Sequence, residues 1–309
     1  MIRNLQHVGL TVPDLEIGRS FYESVGLEAR MAGKHMALRC KGRSQDQVRL
    51  MPGKVKRLSY VSFGTDAKGL ELVRESLNYH DVQVHPAPFD IGIEGLWFKD
   101  PSNDWVHVCI NESMPDAPQP VPELNTPGRY RRIGERGCTP DSRLRRASPL
   151  RLGHLIKFTS DVDRSIAFYT QVLGMKVSDR AADKIAFLRC GCGGDHHVLG
   201  LAKSTHSGLH HLSFEVMDID EIELGAQHLI SLGYKSAFGL GRHVAGSNYF
   251  HYIRDPWDSL VEYFWDIDVI PEGCEWDALN GTPQELTAVW ATNPPPESFI
   301  QNFEVNDEA

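Results

Sequence analysis

The sequence predicts an α+β protein made of two halves that repeat one another, each alternating short strands with helices. Three pairs of segments carry this prediction. Residues 5–27, LQHVGLTVPDLEIGRSFYESVGL, match residues 152–174, LGHLIKFTSDVDRSIAFYTQVLG, at an offset of 147 residues from His7 to His154. LSYVSFGTDAKGLELVRESL at 58–77 matches LHHLSFEVMDIDEIELGAQHLISLG at 209–233. EGLWFKDPSNDWVHVCI at 94–110 matches NYFHYIRDPWDSLVEYFW at 248–265, each with an Asp-Pro turn between two apolar runs. Self-similarity on this scale marks a duplicated structural unit.

Taken in order, each half opens with an apolar strand carrying a His, His7 or His154, followed by an acidic turn. The turn leads into a helix with Phe-Tyr near its end; in the second copy Ile166, Tyr169 and Leu173 fall at helical spacing. Runs of Val, Phe and Tyr bounded by Gly, Asp and Pro supply the short strands that follow. The segments at 58–77 and 209–233 begin a second strand–helix unit in each half. Asp100-Pro101 and Asp255-Pro256 then turn the chain between the last two strands. The halves span residues 1–111 and 150–266, joined by a linker at 112–149 that opens Pro-rich and acidic and turns basic in RYRRIGERG and RLRRAS. A solvated linker or subunit contact explains those arginines better than a functional basic patch. Residues 267–309, with NPPP and an acidic end, are read as a surface extension with a frayed terminus.

At 309 residues the chain can bury a full core, and 41% hydrophobic with 24% charged residues is ordinary for a globular protein. A net charge of -9 argues against general nucleic-acid binding, which leaves a basic footprint. No apolar run approaches the ~18 residues of a membrane span. The opening MIRNLQHVGLTVPDL has no long apolar core behind a basic start, so a cytoplasmic location is expected. Six cysteines, Cys40, Cys109, Cys138, Cys190, Cys192 and Cys274, are too sparse for a disulfide framework and read as reduced thiols. Cys190 and Cys192 beside His196 and His197 lack two further ligands at zinc-site spacing.

The chemistry concentrates on His154, His211 and Glu262. Each lies in an apolar strand: beside Leu155 and Ile156, Leu212 and Phe214, Val261 and Tyr263. An ionised Glu in such a strand is costly to bury unless it meets a cation. Side chains alternate along strands, so three strands of one cupped sheet could aim these groups at one point. Two imidazoles and a carboxylate on one face leave coordination positions open, as in non-haem Fe(II) enzymes that bind both O2 and substrate.

The chain resembles, over both halves, the type I extradiol dioxygenases of the vicinal-oxygen-chelate superfamily. GRHVAGSNYFHYIRDPWDSLVEYF at 241–264 is the most specific stretch, supported by GLHHLSFEV at 208–216 and LGHLIKFTSDVDRSIAFY at 152–169. The resemblance implies four βαβββ modules, two per vicinal-oxygen-chelate domain, each pair forming a cup. It implies metal ligands at His154, His211 and Glu262, with Fe(II) as the ion and Mn(II) as the lesser alternative. The matching N-terminal positions are His7, Tyr60 and His107, which reads as a vestigial cup. DHHVLGL at 195–201 places His197 where the family carries a catalytic His, and His243 and Tyr252 match two further catalytic positions. His197 is expected in a strand beside the ligand strand, as the acid–base group. Tyr252 is expected to hydrogen-bond the substrate oxygen, with His243 assisting it. His196, His206, His210 and His251 are read as structural or solvent-facing, and Trp257 and Phe250 as core. The sequence departs from the family pattern at Asp258, where Gly is usual, and at His251, where an aliphatic residue or Phe is usual; both are expected beside the pocket.

The implied reaction is extradiol cleavage of a catechol-type diol with O2, in aromatic-compound degradation, by a homo-oligomer without nucleic-acid or membrane partners. A glyoxalase-type isomerase would use a similar cup with a different ligand set. A non-catalytic binder of aromatic ligands would not need the metal residues at all.

Overall fold

The computed structural model describes residues 1–111 and 124–306; the Pro-rich acidic opening of the linker and the last three residues lie outside the described residues. In the first half the order is β1 (Asn4–Val12), α1 (Leu15–Val25), β2 (Glu28–Ala32), β3 (His35–Arg39), β4 (Val48–Pro52), β5 (Arg57–Thr65), α2 (Ala67–Tyr79), β6 (Leu96–Lys99) and β7 (Trp105–Ile110). The second half runs β8 (Arg151–Thr159), α3 (Val162–Gln171), β9 (Lys176–Ala181), β10 (Ile185–Arg189), β11 (Gly193–Asp195), β12 (Leu199–Lys203) and β13 (Gly208–Glu215). It continues with α4 (Ile219–Ser231), β14 (Ser236–Arg242), β15 (Tyr249–Arg254), β16 (Leu260–Trp265), β17 (Val269–Pro271), α5 (Pro283–Thr287) and β18 (Trp290–Ala291). The strands form a seven-stranded sheet, β2-β3-β4-β1-β5-β7-β6, and a nine-stranded sheet, β18-β14-β15-β16-β13-β8-β12-β10-β9. This is the α+β architecture expected.

The duplication extends to local chemistry. The acidic turns prove to be helix N-caps: Asp14, Asp66, Asp161 and Asp218 each accept backbone N–H groups of the helix that follows. In the Asp-Pro turns, Asp100 Oδ1 accepts the amides of Ser102 and Asp104, and Asp255 Oδ1 those of Trp257 and Ser259. Each turn needs one left-handed residue, Asn103 at φ 65° and Asp258 at φ 68°. Asp tolerates that region better than most residues, which is why Asp258 can stand where a Gly is usual. The copies differ in one strand. After α2 the expected three strands are reduced to β6 and β7, with His85 making a single bridge to Trp97. Pro86 and Pro88 remove the N–H donors a longer strand would need.

Each Asp-Pro turn is gripped by a lysine of the opposite half. Lys157 of β8, fully buried, contacts Asp100 and Asp104, and Tyr169 donates to Asp100 at 2.9 Å. Lys56 contacts Ser259 and pairs with Glu304 at 2.6 Å. Glu304 also accepts the amides of Leu58 (2.9 Å) and Leu209 (3.1 Å).

Residues 267–306 lie mostly exposed, as read, but Ile270, Leu286 and Glu304 tie the segment into the fold. β17 pairs with β11, β18 extends the large sheet beside β14, and Glu304 is 8% exposed. Composition hid these ties because Pro and acidic residues are common on surfaces, whereas here an acid is buried against a lysine and two amides. Removing one member of a buried ion pair strands the other. Glu304→Ala should therefore lower folding stability by ~3–5 kcal/mol, measured by urea denaturation. A loss under ~1 kcal/mol would show that the pair is replaced by water.

Candidate metal centre and active site

Strand register brings the site together. In β8 His154 lies opposite Ser213 of β13, and Ser213 lies opposite Glu262 of β16. His211 is two residues before Ser213 and so shares its face. Three adjacent strands thus present His154, His211 and Glu262 on one side, their ligand atoms all within 4.8 Å of one another and all three residues buried. Tyr252 of β15 lies opposite Glu262 and joins the same face.

These residues fit a metal ion. His154 Nε2 stands 3.0 Å and His211 Nε2 3.4 Å from Glu262 Oε2, yet His211 Nε2 is buried without a hydrogen-bond partner. A buried imidazole nitrogen left unpaired beside a carboxylate costs free energy, and a cation between them would satisfy both. Burial pushes the Glu262 carboxyl up, but the hydrogen bond from His154 and the nearby imidazoles outweigh it and hold it well below the usual range. Burial holds His211 and His197 well below the ordinary imidazole range. Glu262 is therefore offered as an ionised carboxylate and His211 as a neutral imidazole, the protonation states that ligation requires.

A β-bulge places a further His. Leu209 pairs with Lys157 and His211 with Ile156, so His210 is the extra residue on β13. Regular alternation would turn His210 away from His211; the bulge instead lets both line the cavity. His210 was expected to be structural or solvent-facing. It faces the cavity, its Nδ1 2.7 Å from His211 Nδ1, and burial lowers it to about 4.

His243 and Tyr252 form a pair. The Thr287 carbonyl can only accept, so at 2.5 Å it assigns the proton of His243 to Nδ1. His243 Nε2 is then the acceptor for the Tyr252 hydroxyl at 2.9 Å. Burial, then the Glu262 charge, push the Tyr252 phenol well above its ordinary value, so it stays a neutral donor. Phe250 is core, as expected, stacked on the His243 ring at 3.8 Å. Trp257 packs toward Gly18 of α1.

His197 lies in the bend two residues before β12 rather than within a strand. Because β12 pairs with β8, its ring still comes within 4.2 Å of the His154 ring. His196 behind it bonds Asp179, and His206 bonds the Glu304 backbone carbonyl at 2.7 Å. His251, expected beside the pocket, faces the other side of the sheet, where it bonds Glu223 of α4 at 2.9 Å and Ser236 at 2.9 Å. Alternation along β15 explains this, since Phe250 and Tyr252 take the inner face.

The His cluster forms the floor of a cavity of ≈ 500 Å³. Ile156, Phe158, Ile185 and Phe187 wall one side, and Leu286, Phe299 and Ile300 of the tail the other. Sequence reasoning missed the tail residues and Asn248, whose side chain donates to Glu262 Oε1 at 3.3 Å. For Asn248 a signal existed, since it sits five residues after His243 in the most specific stretch. The Pro-rich tail carried none.

The N-terminal cup repeats the register, with His7 and His107 both opposite Ser62 and Tyr60 two residues before it. Its contents differ. His7 bonds Tyr60 at 3.1 Å, His107 bonds Ser62 at 2.9 Å, and Trp97 stacks on His107 at 4.4 Å. Arg49, buried beside Asp46, adds a fixed positive charge. Burial and then Arg49 lower His107 to about 4, and the same two causes, in that order, hold His7 well below the ordinary imidazole range. A cup already holding a cation, with no carboxylate among these three positions, is a poor host for a dication. His7→Ala or His107→Ala should cost stability but leave turnover per bound metal within about twofold. Loss of specific activity at full metal occupancy would assign this cup a catalytic part.

Comparison with known proteins agrees with this geometry. Residues 151–263 match the model of the Glyoxalase/Bleomycin resistance protein/Dioxygenase superfamily. The chain is 35% identical over 307 residues to metapyrocatechase 2 of Cupriavidus necator, covering 98% of this chain and 93% of that one. It is 33% identical over 151 residues to an iron-dependent extradiol dioxygenase of Rhodococcus jostii (strain RHA1), covering 45% of this chain and 48% of that one. The structure of the Mn(II)-bound glyoxalase from Novosphingobium aromaticivorans shares the fold, with a TM-score of 0.78 at 20% identity over 99% of this chain and 96% of that one. With its duplicated sheets, its buried His-His-Glu cluster and this likeness along nearly its whole length, the chain belongs to the extradiol dioxygenases of that superfamily.

Proposed function

We propose that this enzyme cleaves catechol-type diols with O2 beside the diol, using Fe(II) held by His154, His211 and Glu262. One observation carries the reading: a buried His-His-Glu face, with an imidazole nitrogen left unpaired, forms the floor of a largely apolar cavity. Fe(II) supplies the redox chemistry that lets triplet O2 react with a closed-shell diol. The chain's own residues do the rest. The apolar walls bind the ring faces and exclude water. His197 accepts a proton from a substrate hydroxyl and later returns it, which a neutral imidazole does near neutral pH. When the diol binds, the Tyr252 hydroxyl turns its single hydrogen from His243 Nε2 to a substrate oxygen, and His243 holds it in reach until then. The likeness to an iron-dependent extradiol dioxygenase favours Fe(II) over Mn(II).

In this reading residues 1–111 are a scaffold domain without metal, and residues 150–266 carry the metal. The tail supplies a pocket wall. Six unpaired cysteines suit a cytoplasmic protein. Exposed Tyr130 and Ile133 in the linker suit self-association, which sedimentation velocity measures.

Metal-free protein reloaded with Fe(II) or Mn(II) should be offered a panel of substituted catechols and hydroquinones. The Fe(II) enzyme should consume one O2 per catechol and form a yellow ring-fission product. Absence of O2 uptake at full iron occupancy across the panel would overturn the activity. Faster turnover with Mn(II) would replace the metal.

A further inference from the structure

We propose that Asp179 and His196 are positioning residues that fix the tautomer of His197, leaving its Nε2 as the proton acceptor facing the cavity. The inference deepens the reading of His197 as the acid–base group and rests on it.

The assignment follows from a chain of two hydrogen bonds. Asp179 Oδ2 lies 3.1 Å from His196 Nε2, and His196 Nδ1 lies 3.0 Å from His197 Nδ1. Asp179 and His196 are buried, as is His197, which also lines the cavity. A carboxylate only accepts, so His196 Nε2 must carry the hydrogen. The relay takes His196 as neutral: its Nδ1 then carries a lone pair, and His197 donates from its own Nδ1. That leaves the lone pair of His197 on Nε2. The tautomer of a histidine is set by the bond its other nitrogen makes, and here the carboxylate at the far end sets the direction of the chain.

The surroundings hold the relay in place. Asp179 Oδ1 accepts the Leu279 amide at 2.8 Å, which fixes the carboxylate plane. The His196 amide donates to the Asp268 carbonyl at 2.7 Å. Gly246, at φ 87°, lets the backbone pass against the pair; a Cβ there would lie 3.3 Å from His196 Nδ1 and 3.4 Å from His197 Cε1. When a substrate hydroxyl gives its proton to His197 Nε2, the substrate oxygen keeps the electron pair and His197 becomes an imidazolium. Its positive charge then faces, through His196, the Asp179 carboxylate, which orients and stabilises it without taking the proton. A catalytic triad uses its carboxylate in the same way.

Asp179→Asn tests this with little change of shape. The amide oxygen can keep the Leu279 bond while its NH2 faces His196 Nε2. Every hydrogen in the chain then reverses, and His197 carries its proton on Nε2. We expect kcat to fall by ~10²–10⁴, with metal content and the anaerobic catechol Kd within twofold of wild type. His196→Leu should lose kcat similarly, whereas His196→Gln, which can donate to Asp179 and accept from His197, should stay within about tenfold of wild type.

The tautomer itself can be read without turnover. Protein carrying ¹⁵N-histidine and loaded with diamagnetic Zn(II) should show, in long-range ¹H–¹⁵N correlation, His197 protonated at Nδ1. The signal is assigned by its loss in His197→Phe. Wild-type His197 protonated at Nε2 overturns the proposal. So does an Asp179→Asn enzyme with unchanged kcat, or one slowed only through lost metal or lost catechol binding. If Asp179→Asn does not fold, the wild-type spectrum and the two His196 variants decide. A slow His197→Phe with a normal Asp179→Asn would sink the relay alone. A fast His197→Phe would instead sink the role of His197.

Discussion

His154→Ala, His211→Ala and Glu262→Ala should each yield folded protein that retains little iron and turns over at least ~10⁴-fold more slowly, a barrier increase of roughly 5.5 kcal/mol. The expectation rests on three strands presenting these groups on one face, buried at the cavity floor with ligand atoms within 4.8 Å of one another. Two ligands cannot hold the ion where three are needed to balance its lost hydration. The variants should differ in stability. Glu262→Ala also strands the Asn248 amide and His154 Nε2, both of which it accepts from, at a cost of ~1–3 kcal/mol for each group left unpaired. His211→Ala removes an Nε2 that had no partner and strands only His210 Nδ1, so it should cost less. Metal analysis of purified protein, alongside circular dichroism, checks both points. A variant that keeps stoichiometric iron strikes that residue from the ligand set.

His197→Phe should keep its iron, bind catechol anaerobically and turn over ~10²–10⁴ more slowly. The ring it replaces packs against Phe187 at 4.9 Å, so another aromatic ring fits the space. What disappears is a neutral imidazole nitrogen at the cavity floor. Tyr252→Phe should be milder, about tenfold, because it removes one hydrogen bond and leaves the ring beside His211. Anaerobic titration reports binding and stopped-flow mixing with O2 reports chemistry. Wild-type turnover in His197→Phe, or failure only through missing iron, would end its assignment as the acid–base group.

The parts of this molecule legible in the sequence are those governed by short-range rules. Alternation in apolar strands marked His7, His154 and Glu262, and the internal repeat aligned them. Asp14 and Asp161 before helices read as turns because N-caps are local. What stayed hidden depends on pairing between distant segments. His210 faces the cavity through a bulge that only the β8–β13 register reveals. His251 faces away because β15 enters the sheet with Tyr252 opposite Glu262. Asp179, in the unremarkable run VSDRA, gains its position from β9 folding beside β10 and from Leu279 a hundred residues on. The tail hid most completely, since its Pro and acidic residues carry no period and its partners lie in both halves.

Glu304 gives the chain an order of assembly. It follows every strand of both sheets, and its partners, Lys56, Leu58 and Leu209, come from the first half and from β13. During synthesis at ~5–20 residues per second, the His-His-Glu face is therefore complete some seconds before the wall that covers it can be fastened. That wall can be seated only on a first half that has already folded and docked. A ribosome-bound chain stopped short of Glu304 should therefore lack the contacts that fasten the tail to Lys56, Leu58 and Leu209 and leave the His-His-Glu face open to solvent.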